Sequence, residues 1–300
     1  MFKKQKSILL VSILTLFVFM LVGCGGGDAT PDGDVANQEK GKVEIVYVEW
    51  ACANASTHVM ADILENIMGY ETELYSVAAA AIFQALANDE ADATFTTWLP
   101  LTHGDYMKQV EGKVENLGSN YEGAKIGLVV PDYVEIDSIE ELNGAKDKFD
   151  GKIIGIDPGA GIMKASNQAL EDYNLDYEVM EGSDATMVVS LKEAIRDNEW
   201  IAVTGWSPHW KFAEWDLKYL EDPKKSFGEA ETIDTVVRLG LKEDMPEVYE
   251  LFNNFKWDDA AIGSAMNMIE EAGDAKVGAR KWVEENQDLV NSWLPEKYKK

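Results

Sequence analysis

The sequence predicts an α/β fold made of two similar lobes that face each other across a cleft. Two observations support this: short strand-like runs alternate with segments of helical period, and one part of the chain resembles another at a fixed offset. Alternating strands and helices favour helices layered on largely parallel sheets. The strand-like runs lie at residues 43–48, 94–97, 126–130, 153–156 and 201–204.

The internal similarity is centred on two tryptophan loops. Thr-Thr-Trp-Leu-Pro at residues 96–100 recurs as Thr-Gly-Trp-Ser-Pro at residues 204–208, an offset of 108 (204 minus 96), which also aligns Ile45 with Ile153. Each copy would end in a tryptophan loop after its last strand. Because ligands bind at the carboxyl ends of strands in open α/β sheets, both loops are expected at one cleft. Chance similarity between short α/β units is the alternative.

The first residues predict export. Three lysines precede an apolar run over residues 8–22, and small residues then lead to Cys24. This is the pattern of a signal peptide over residues 1–23. The Leu-Val-Gly-Cys ending resembles the bacterial lipobox, whose cysteine is lipidated, so Cys24 is the expected membrane anchor. A transmembrane helix is the alternative, although the run is shorter than the roughly 20 residues that a span needs.

The rest of the chain divides by composition and period. Residues 24–41, rich in glycine and polar residues, predict a flexible tether. Lobe I is expected over residues 42–130 and lobe II over residues 131–238. Residues 239–300 have a helical period and are expected to pack back on lobe I.

Charge and cysteine content exclude several classes of protein. The formal net charge of −27 opposes binding to nucleic acid. Apart from Cys24 the only thiol is Cys52, so no disulfide framework is expected. The three histidines, His58, His103 and His209, are too widely spaced for a compact metal motif. Neither a metal nor a cofactor is expected.

Three of the nine tryptophans follow directly on predicted strands. Trp50, Trp98 and Trp206 each lie in a loop at the expected carboxyl end of a strand, whereas most of the others lie in helix-like contexts where burial is expected. Aromatic faces attract cations, and each contact contributes about 0.5 to 2 kcal/mol. These three rings therefore predict a cage for a methylated cation, with plain burial as the alternative.

A glycine-rich loop at residues 155–163, Gly-Ile-Asp-Pro-Gly-Ala-Gly-Ile-Met, connects a predicted strand to a predicted helix. Backbone N–H groups at a helix N-terminus favour an anion. A ligand carboxylate is the expected guest, and an ordinary turn that caps the helix is the alternative. A dinucleotide is not expected, because the third glycine of that fingerprint is missing.

His103 is the candidate for a further contact to the anion. It follows Trp98 by five residues, which brings its imidazole within reach of the same cleft. His209 is as well placed to support the loop of Trp206. Catalysis would need Cys52 paired with a histidine, or Asp157 as a base, and no recognisable hydrolase motif surrounds either residue.

Taken in order, these motifs resemble a known family. Val-Glu-Trp at 48–50, Thr-Trp-Leu-Pro at 97–100, the glycine loop at 153–163 and Thr-Gly-Trp-Ser-Pro-His-Trp at 204–210 are similar to segments of the glycine betaine binding proteins of ABC osmoprotectant importers, the OpuAC type. The resemblance implies a two-lobed periplasmic-binding-protein-like fold of type II, with the ligand in the interlobe cleft. Some relatives carry the two halves in the opposite order, a circular permutation that two lobes tolerate.

The resemblance also implies how a ligand is held. The implied contacts are Trp50, Trp98 and Trp206 to the trimethylammonium group, and the backbone amides of Gly161 and Ile162 with His103 to the carboxylate. It implies a binding protein, not an enzyme, anchored by lipid at the outer face of the cytoplasmic membrane. The implied partners are an ABC permease and its ATPase.

Several alternatives stay open at this point. Choline, carnitine, proline betaine and dimethylsulfoniopropionate would suit the same kind of cage. A metal-binding lipoprotein would need the histidines to converge. A surface hydrolase would need a reactive Cys52 or Asp157.

Overall fold

The computed structural model of the chain describes residues 40–300. The predicted signal peptide, Cys24 and nearly all of the predicted tether lie outside the described residues. None of the helices within residues 40–300 is both long enough and apolar enough to span a membrane.

Strands and helices alternate along the described chain. The strands are β1 (Lys42–Tyr47), β2 (Glu71–Ser76), β3 (Ala93–Leu99), β4 (Val114–Pro131), β5 (Lys152–Ile154), β6 (Glu178–Met180), β7 (Val203–Ser207), β8 (Leu217–Tyr219) and β9 (Glu231–Arg238). The α-helices are α1 (Ala51–Ile63), α2 (Ala79–Ala87), α3 (Gly104–Gln109), α4 (Gly161–Asp172), α5 (Asp184–Asp197), α6 (Lys211–Glu214), α7 (Leu241–Asp244), α8 (Pro246–Asn254), α9 (Asp259–Ala272), α10 (Ala275–Glu285) and α11 (Gln287–Trp293). A π-helical turn (Leu64–Met68) continues α1, and 3-10 helices cover Ile139–Phe149 and Glu296–Tyr298.

The strands form one path in the order β2-β1-β3-β9-β4-β7-β5-β6, with β8 paired to β4. The long strand β4 joins two halves of this path. Its residues 114–124 pair with β9, and its residues 125–131 pair with β7 and β8. We call β1, β2, β3 and β9 with residues 114–124 the first half-sheet, and β5 to β8 with residues 125–131 the second half-sheet.

The two half-sheets repeat one arrangement of strands. In the first, β1 pairs in parallel with β2 and β3, and β3 then pairs antiparallel with β9. In the second, β5 pairs in parallel with β6 and β7, and β7 then pairs antiparallel with β4. The offset of 108 residues aligns β1 with β5, β2 with β6 and β3 with β7.

The chain returns to the first half-sheet after completing the second. Strand β9 lies within residues 131–238, the segment assigned to lobe II, yet it pairs with β3. The segment after β9 then packs against α1: the indole N–H of Trp257, between α8 and α9, donates to the Ser56 hydroxyl at 3.0 Å, and Arg280 Nε of α10 donates to Asp62 at 2.7 Å. The residue boundaries of the lobes stay a prediction.

Helix boundaries follow local side-chain chemistry. Asp258 and Asp274 precede α9 and α10, and each carboxylate accepts an N–H of the first turn, from Ala261 at 2.7 Å and from Val277 at 2.9 Å. Such caps satisfy N–H groups that have no partner within the helix. Gly273 ends α9 at a φ of +63°, which glycine adopts without steric cost.

Aromatic residues fill much of the core beneath the first half-sheet. Trp257 contacts Trp282 edge to face, with ring centroids 5.1 Å apart, and contacts Trp293 at 5.5 Å. All three rings are buried, as the sequence predicts for tryptophans in helical contexts. Edge-to-face pairs of this kind add to the free energy that burial alone supplies.

Candidate functional site

A single pocket brings together the tryptophans that follow the strands. Its empty volume is about 270 Å³, including the space open to solvent at its mouth. The lining residues are Trp50, Trp98, Thr102, Ile126, Ile156, Ala160, Gly161, Ile162 and Trp206.

Each tryptophan is positioned by the end of a strand. Trp50 lies between β1 and α1 and is the residue that precedes α1, while Trp98 and Trp206 are the next-to-last residues of β3 and β7. Trp50 and Trp206 come from different half-sheets, and their ring centroids lie 6.3 Å apart with planes at 54°. The parallel strands therefore end where the three indoles meet.

The three indoles are buried but retain unused donors. Trp50, Trp98 and Trp206 are 5%, 2% and 3% exposed, and none of their Nε1 atoms has a hydrogen-bond partner within residues 40–300. Buried polar groups in proteins are usually paired. Their rings form walls of the pocket. None of its nine lining residues carries a charge.

The N-terminal turn of α4 closes one side of the pocket. Gly161 and Ile162 are the first two residues of α4, and both line the pocket. Backbone N–H groups in a first helical turn have no partner within the helix, and the helix dipole favours an anion there. A Cβ added to Gly161 would lie 2.2 Å from the Thr102 carbonyl oxygen, so only glycine fits here.

The loop after β3, which carries Thr102, is held by a buried carboxylate on β9. Glu231 accepts the backbone N–H groups of Leu101 at 2.7 Å and Thr102 at 2.9 Å, and it also accepts the Thr102 hydroxyl. Thr102 follows β3 of the first half-sheet, and Gly161 begins α4 of the second. Their close approach therefore crosses the pocket from one half to the other.

Further contacts join the two half-sheets around the pocket. The Tyr106 hydroxyl donates to the Gly159 carbonyl at 2.9 Å, and Lys164 forms an ion pair with Asp105. The Ala51 N–H, at the start of α1, donates to Asp184 of α5 at 3.1 Å. The structure is therefore one in which the two sides of the cleft are closed on each other.

His103 lies against Trp50 and does not line the pocket. Its ring stacks on Trp50 at 5.8 Å between centroids, and its Nδ1 accepts the Trp98 N–H at 3.0 Å. Burial lowers the pKa of His103 to about 3, against the opposing effect of the Thr96 backbone. The imidazole is thus neutral with its proton on Nε2, and this N–H has no partner among the described residues. Its role with a carboxylate stays a prediction.

A second buried histidine lies behind Trp206. His209 Nδ1 accepts the Lys211 N–H at 3.1 Å, so its proton is on Nε2, which donates to Asp184 at 3.0 Å. Burial lowers the pKa of His209 to about 4, and the charge of Lys211 acts in the same direction. Burial alone would raise the pKa of Asp184, but His209 and Lys211 hold it below its ordinary value.

Sequence reasoning placed five of its site residues around the pocket and missed four others. Trp50, Trp98, Trp206, Gly161 and Ile162 line it together, whereas Thr102, Ile126, Ile156 and Ala160 were not singled out. Three of these four lie within or beside the quoted motifs and were detectable as their neighbours. Ile126 carries no local signal beyond its position on a strand.

A family model described as the substrate binding domain of ABC-type glycine betaine transport systems matches residues 41–285. The chain belongs to this family. The matched range contains both half-sheets and every residue that lines the pocket.

One curated relative within the glycine betaine transport family is the glycine betaine/carnitine transport binding protein GbuC of Listeria monocytogenes serotype 1/2a (strain 10403S). The two are 44% identical over 144 residues, which cover 47% of this chain and 48% of GbuC. The chain thus spans about half the length of this curated relative.

Two solved structures of glycine betaine binding proteins match over more of the chain. The glycine/betaine/L-proline-binding protein ProX of Borrelia burgdorferi is 41% identical with a TM-score of 0.82, covering 86% of this chain and 98% of ProX. Lactococcal OpuAC, closed on glycine betaine, is 37% identical with a TM-score of 0.80, covering 85% and 99%. These matches confirm the predicted family and the predicted type II periplasmic-binding-protein fold.

Proposed function

We propose that this chain is the substrate-binding component of an ABC importer and that it captures glycine betaine in the tryptophan pocket. The observation that carries the proposal is the meeting of three indoles from both half-sheets with the N-terminal turn of α4. An aromatic cage and a site for an anion thereby lie side by side, which matches the two ends of a small zwitterion.

The walls suit a trimethylammonium group, which has no N–H to donate. Trp50, Trp98 and Trp206 would enclose the methyl groups, and each ring face contributes about 0.5 to 2 kcal/mol, more where water is excluded. None of the nine lining residues is a carboxylate that would form a tight ion pair with the cation. An uncharged cage therefore permits both capture and release.

The carboxylate would bind at the start of α4. The backbone N–H groups of Gly161 and Ile162 would be its donors, favoured by the helix dipole. We include His103, because its Nε2–H is buried without a partner among the described residues and a ligand carboxylate would supply one. A neutral imidazole donates without adding a charge that would repel the ammonium group.

Delivery would follow closure of the cleft. The cross-cleft contacts of Asp184, Tyr106 and Lys164 would form when ligand is bound, and the closed surface would engage an ABC permease powered by its ATPase. A lipid on Cys24 would hold the protein at the outer face of the cytoplasmic membrane. We propose no bond-making or bond-breaking step.

Carnitine is the strongest second ligand, since it has the same trimethylammonium and carboxylate groups and GbuC is named as a glycine betaine/carnitine binding protein. Choline lacks the carboxylate and would leave the α4 site unused. A thiol hydrolase is disfavoured, because Cys52 is buried and burial raises the pKa of its thiol to about 12, so little thiolate forms at neutral pH.

Titration of the purified protein tests the ligand. We expect saturable heat on addition of glycine betaine in calorimetry, with a change in tryptophan fluorescence, because three indoles would lose water together. Carnitine and proline betaine should bind more weakly, and choline more weakly still. Glycine is the matched control: it has the carboxylate without the methyl groups and should not bind. No response to any methylated ammonium compound would overturn the proposed ligand.

A further inference from the structure

A fully buried ammonium group lies against one wall of the cage. Lys211, the first residue of α6, is 0% exposed, and its Nζ has no hydrogen-bond partner within residues 40–300. That nitrogen lies 4.2 Å from the centroid of the Trp206 ring and 5.5 Å from that of Phe212. Burying a lysine ammonium costs free energy unless a nearby group compensates its charge.

The ammonium lies on the outer side of the cage wall. Trp206 lines the pocket, whereas Lys211 does not, although the lysine nitrogen lies over the ring. Val129 and Gly205 form part of the surroundings: the position that a Cβ on Gly205 would take lies 2.3 Å from the Val129 side chain and 3.8 Å from Lys211 Cε. The indole of Trp206 thus separates Lys211 from the pocket.

Two titratable groups act on Lys211 from the elements around it, Asp184 of α5 and Cys52 of α1. His209, in the turn before α6, is in turn affected by the charge of Lys211, which lowers its pKa. Tyr219 on β8 lies beyond Phe212, on which its ring stacks at 5.2 Å. Burial lowers the pKa of Lys211 to about 8, while the charge of Asp184 acts in the opposite direction. The lysine is therefore mostly charged at neutral pH and mostly neutral above pH 9.

We propose that Lys211 sets the charge selectivity of the pocket, penalising a ligand with net positive charge relative to a zwitterion. This inference rests on the proposed function of the cage. A cation held by Trp206 lies within about 6 Å of the ring centroid, so the two cations would face each other through one indole within roughly 10 Å. They repel in a buried site where water screens little.

A zwitterion escapes most of this penalty. Its carboxylate is attracted by the same ammonium that repels its trimethylammonium group, and the two effects largely cancel because its net charge is zero. Choline has no compensating carboxylate. Lys211 thereby lowers choline affinity more than glycine betaine affinity, which distinguishes two ligands that share one cage.

The test compares Lys211→Met with the wild-type protein. Methionine is similar in volume to lysine and removes the charge while keeping the packing, so folding should be retained. Calorimetry at pH 7 should show the ratio of choline affinity to glycine betaine affinity rising about tenfold in the variant, the size expected for one partly screened charge at this distance. Lys148→Met is the matched control, because it removes an ammonium 3.7 Å from the centroid of Trp200, outside the pocket.

A pH series gives a second, independent readout. Between pH 7 and pH 9.5 the wild-type ratio should rise toward that of Lys211→Met as Lys211 loses its proton, while the ratio in the variant stays constant. Cys52, whose pKa burial raises to about 12, and His209, whose pKa burial lowers to about 4, do not titrate in this window.

The possible outcomes separate the two proposals. Binding of glycine betaine with the same selectivity ratio in wild type and Lys211→Met at both pH values would overturn the role of Lys211 and leave the proposed ligand intact. A wild-type protein that binds neither compound would overturn both. A tenfold change in the Lys148→Met control would also overturn the role, because it would make the effect one of general surface charge.

Discussion

At the scale of single residues, the proposed cage is formed by rings that are buried without using their own hydrogen-bond donors. Trp98 shows this most clearly: it is 2% exposed and its Nε1 has no partner within residues 40–300, whereas its backbone N–H donates to His103 Nδ1. A tryptophan placed only for the core would usually pair its indole N–H. Its value here lies in the face that it presents to the pocket.

Replacement of Trp98 by alanine tests this assignment. We expect Trp98→Ala to weaken glycine betaine binding by about tenfold or more, because it removes a cation–π contact of about 0.5 to 2 kcal/mol together with apolar contact to the methyl groups. Calorimetry measures the affinity, and thermal unfolding checks that the variant is folded. Trp200→Ala, which truncates a half-buried ring outside the pocket, should bind as the wild type does. An unchanged affinity in Trp98→Ala would remove this ring from the site.

At the scale of secondary structure, the start of α4 and the loop after β3 approach each other closely across the pocket. Gly161 lies against the Thr102 carbonyl, with no room for a side chain, while Glu231 holds the loop from behind. The absence of a Cβ allows the helix N-terminus to reach the pocket. The same two elements would separate when the cleft opens.

Gly161→Ala therefore should affect closure and leave folding intact. Gly161 is the first residue of α4, where alanine gains less over glycine than the roughly 1 kcal/mol of a helix interior, so the free energy of unfolding should change little. Its methyl group would collide with the Thr102 carbonyl only when the two sides of the cleft approach, and glycine betaine affinity should drop by about tenfold or more, since about 1.4 kcal/mol of strain corresponds to a factor of ten. Gly159→Ala is the control, because its Cβ would meet nothing within 4 Å. Equal affinities in both variants would show that α4 does not need this close approach.

At the scale of the whole molecule, each half-sheet buries one neutral histidine behind a tryptophan loop. His103 belongs to the first half-sheet and His209 to the second, and both have a pKa that burial lowers, to about 3 and about 4. The unfolded chain protonates its histidines near pH 6.5. Between pH 6.5 and pH 4 the unfolded state therefore binds protons that the folded state does not. The free energy of unfolding falls as the pH falls through this range.

His209→Gln should flatten that dependence. Glutamine can still donate to Asp184 but takes up no proton on unfolding, so the slope of unfolding free energy against pH should decrease between pH 6 and pH 4.5, by at most the roughly 1.4 kcal/mol per pH unit that one full proton gives. Urea unfolding at several pH values measures the slope in both proteins. Stability curves that run parallel over this range would mean that His209 is protonated in the folded state.

Much of the fold was predictable because its signals are local. Strand-like runs, the glycine loop at residues 155–163 and the two tryptophan loops are short patterns whose backbone conformation depends on adjacent residues. The repeat then related Trp98 to Trp206 without any knowledge of contacts. The return of β9 to the first half-sheet was not predictable in this way, because pairing of β9 with β3 joins segments far apart in the chain, and no local pattern specifies the partner of a strand.

By itself the sequence determined the class of fold, the family, and five residues of the pocket, since motifs of adjacent residues carry that information. Only the tertiary structure decided that His103 stacks behind Trp50 outside the pocket, that Ile126 helps to line it, and that Lys211 is buried against Trp206. Each of these depends on which distant elements enclose a side chain. Burial is a property of the packed molecule, and it determines which protonation state a group adopts and which atoms the group can contact. The hydrophobic period of a short segment does not predict it.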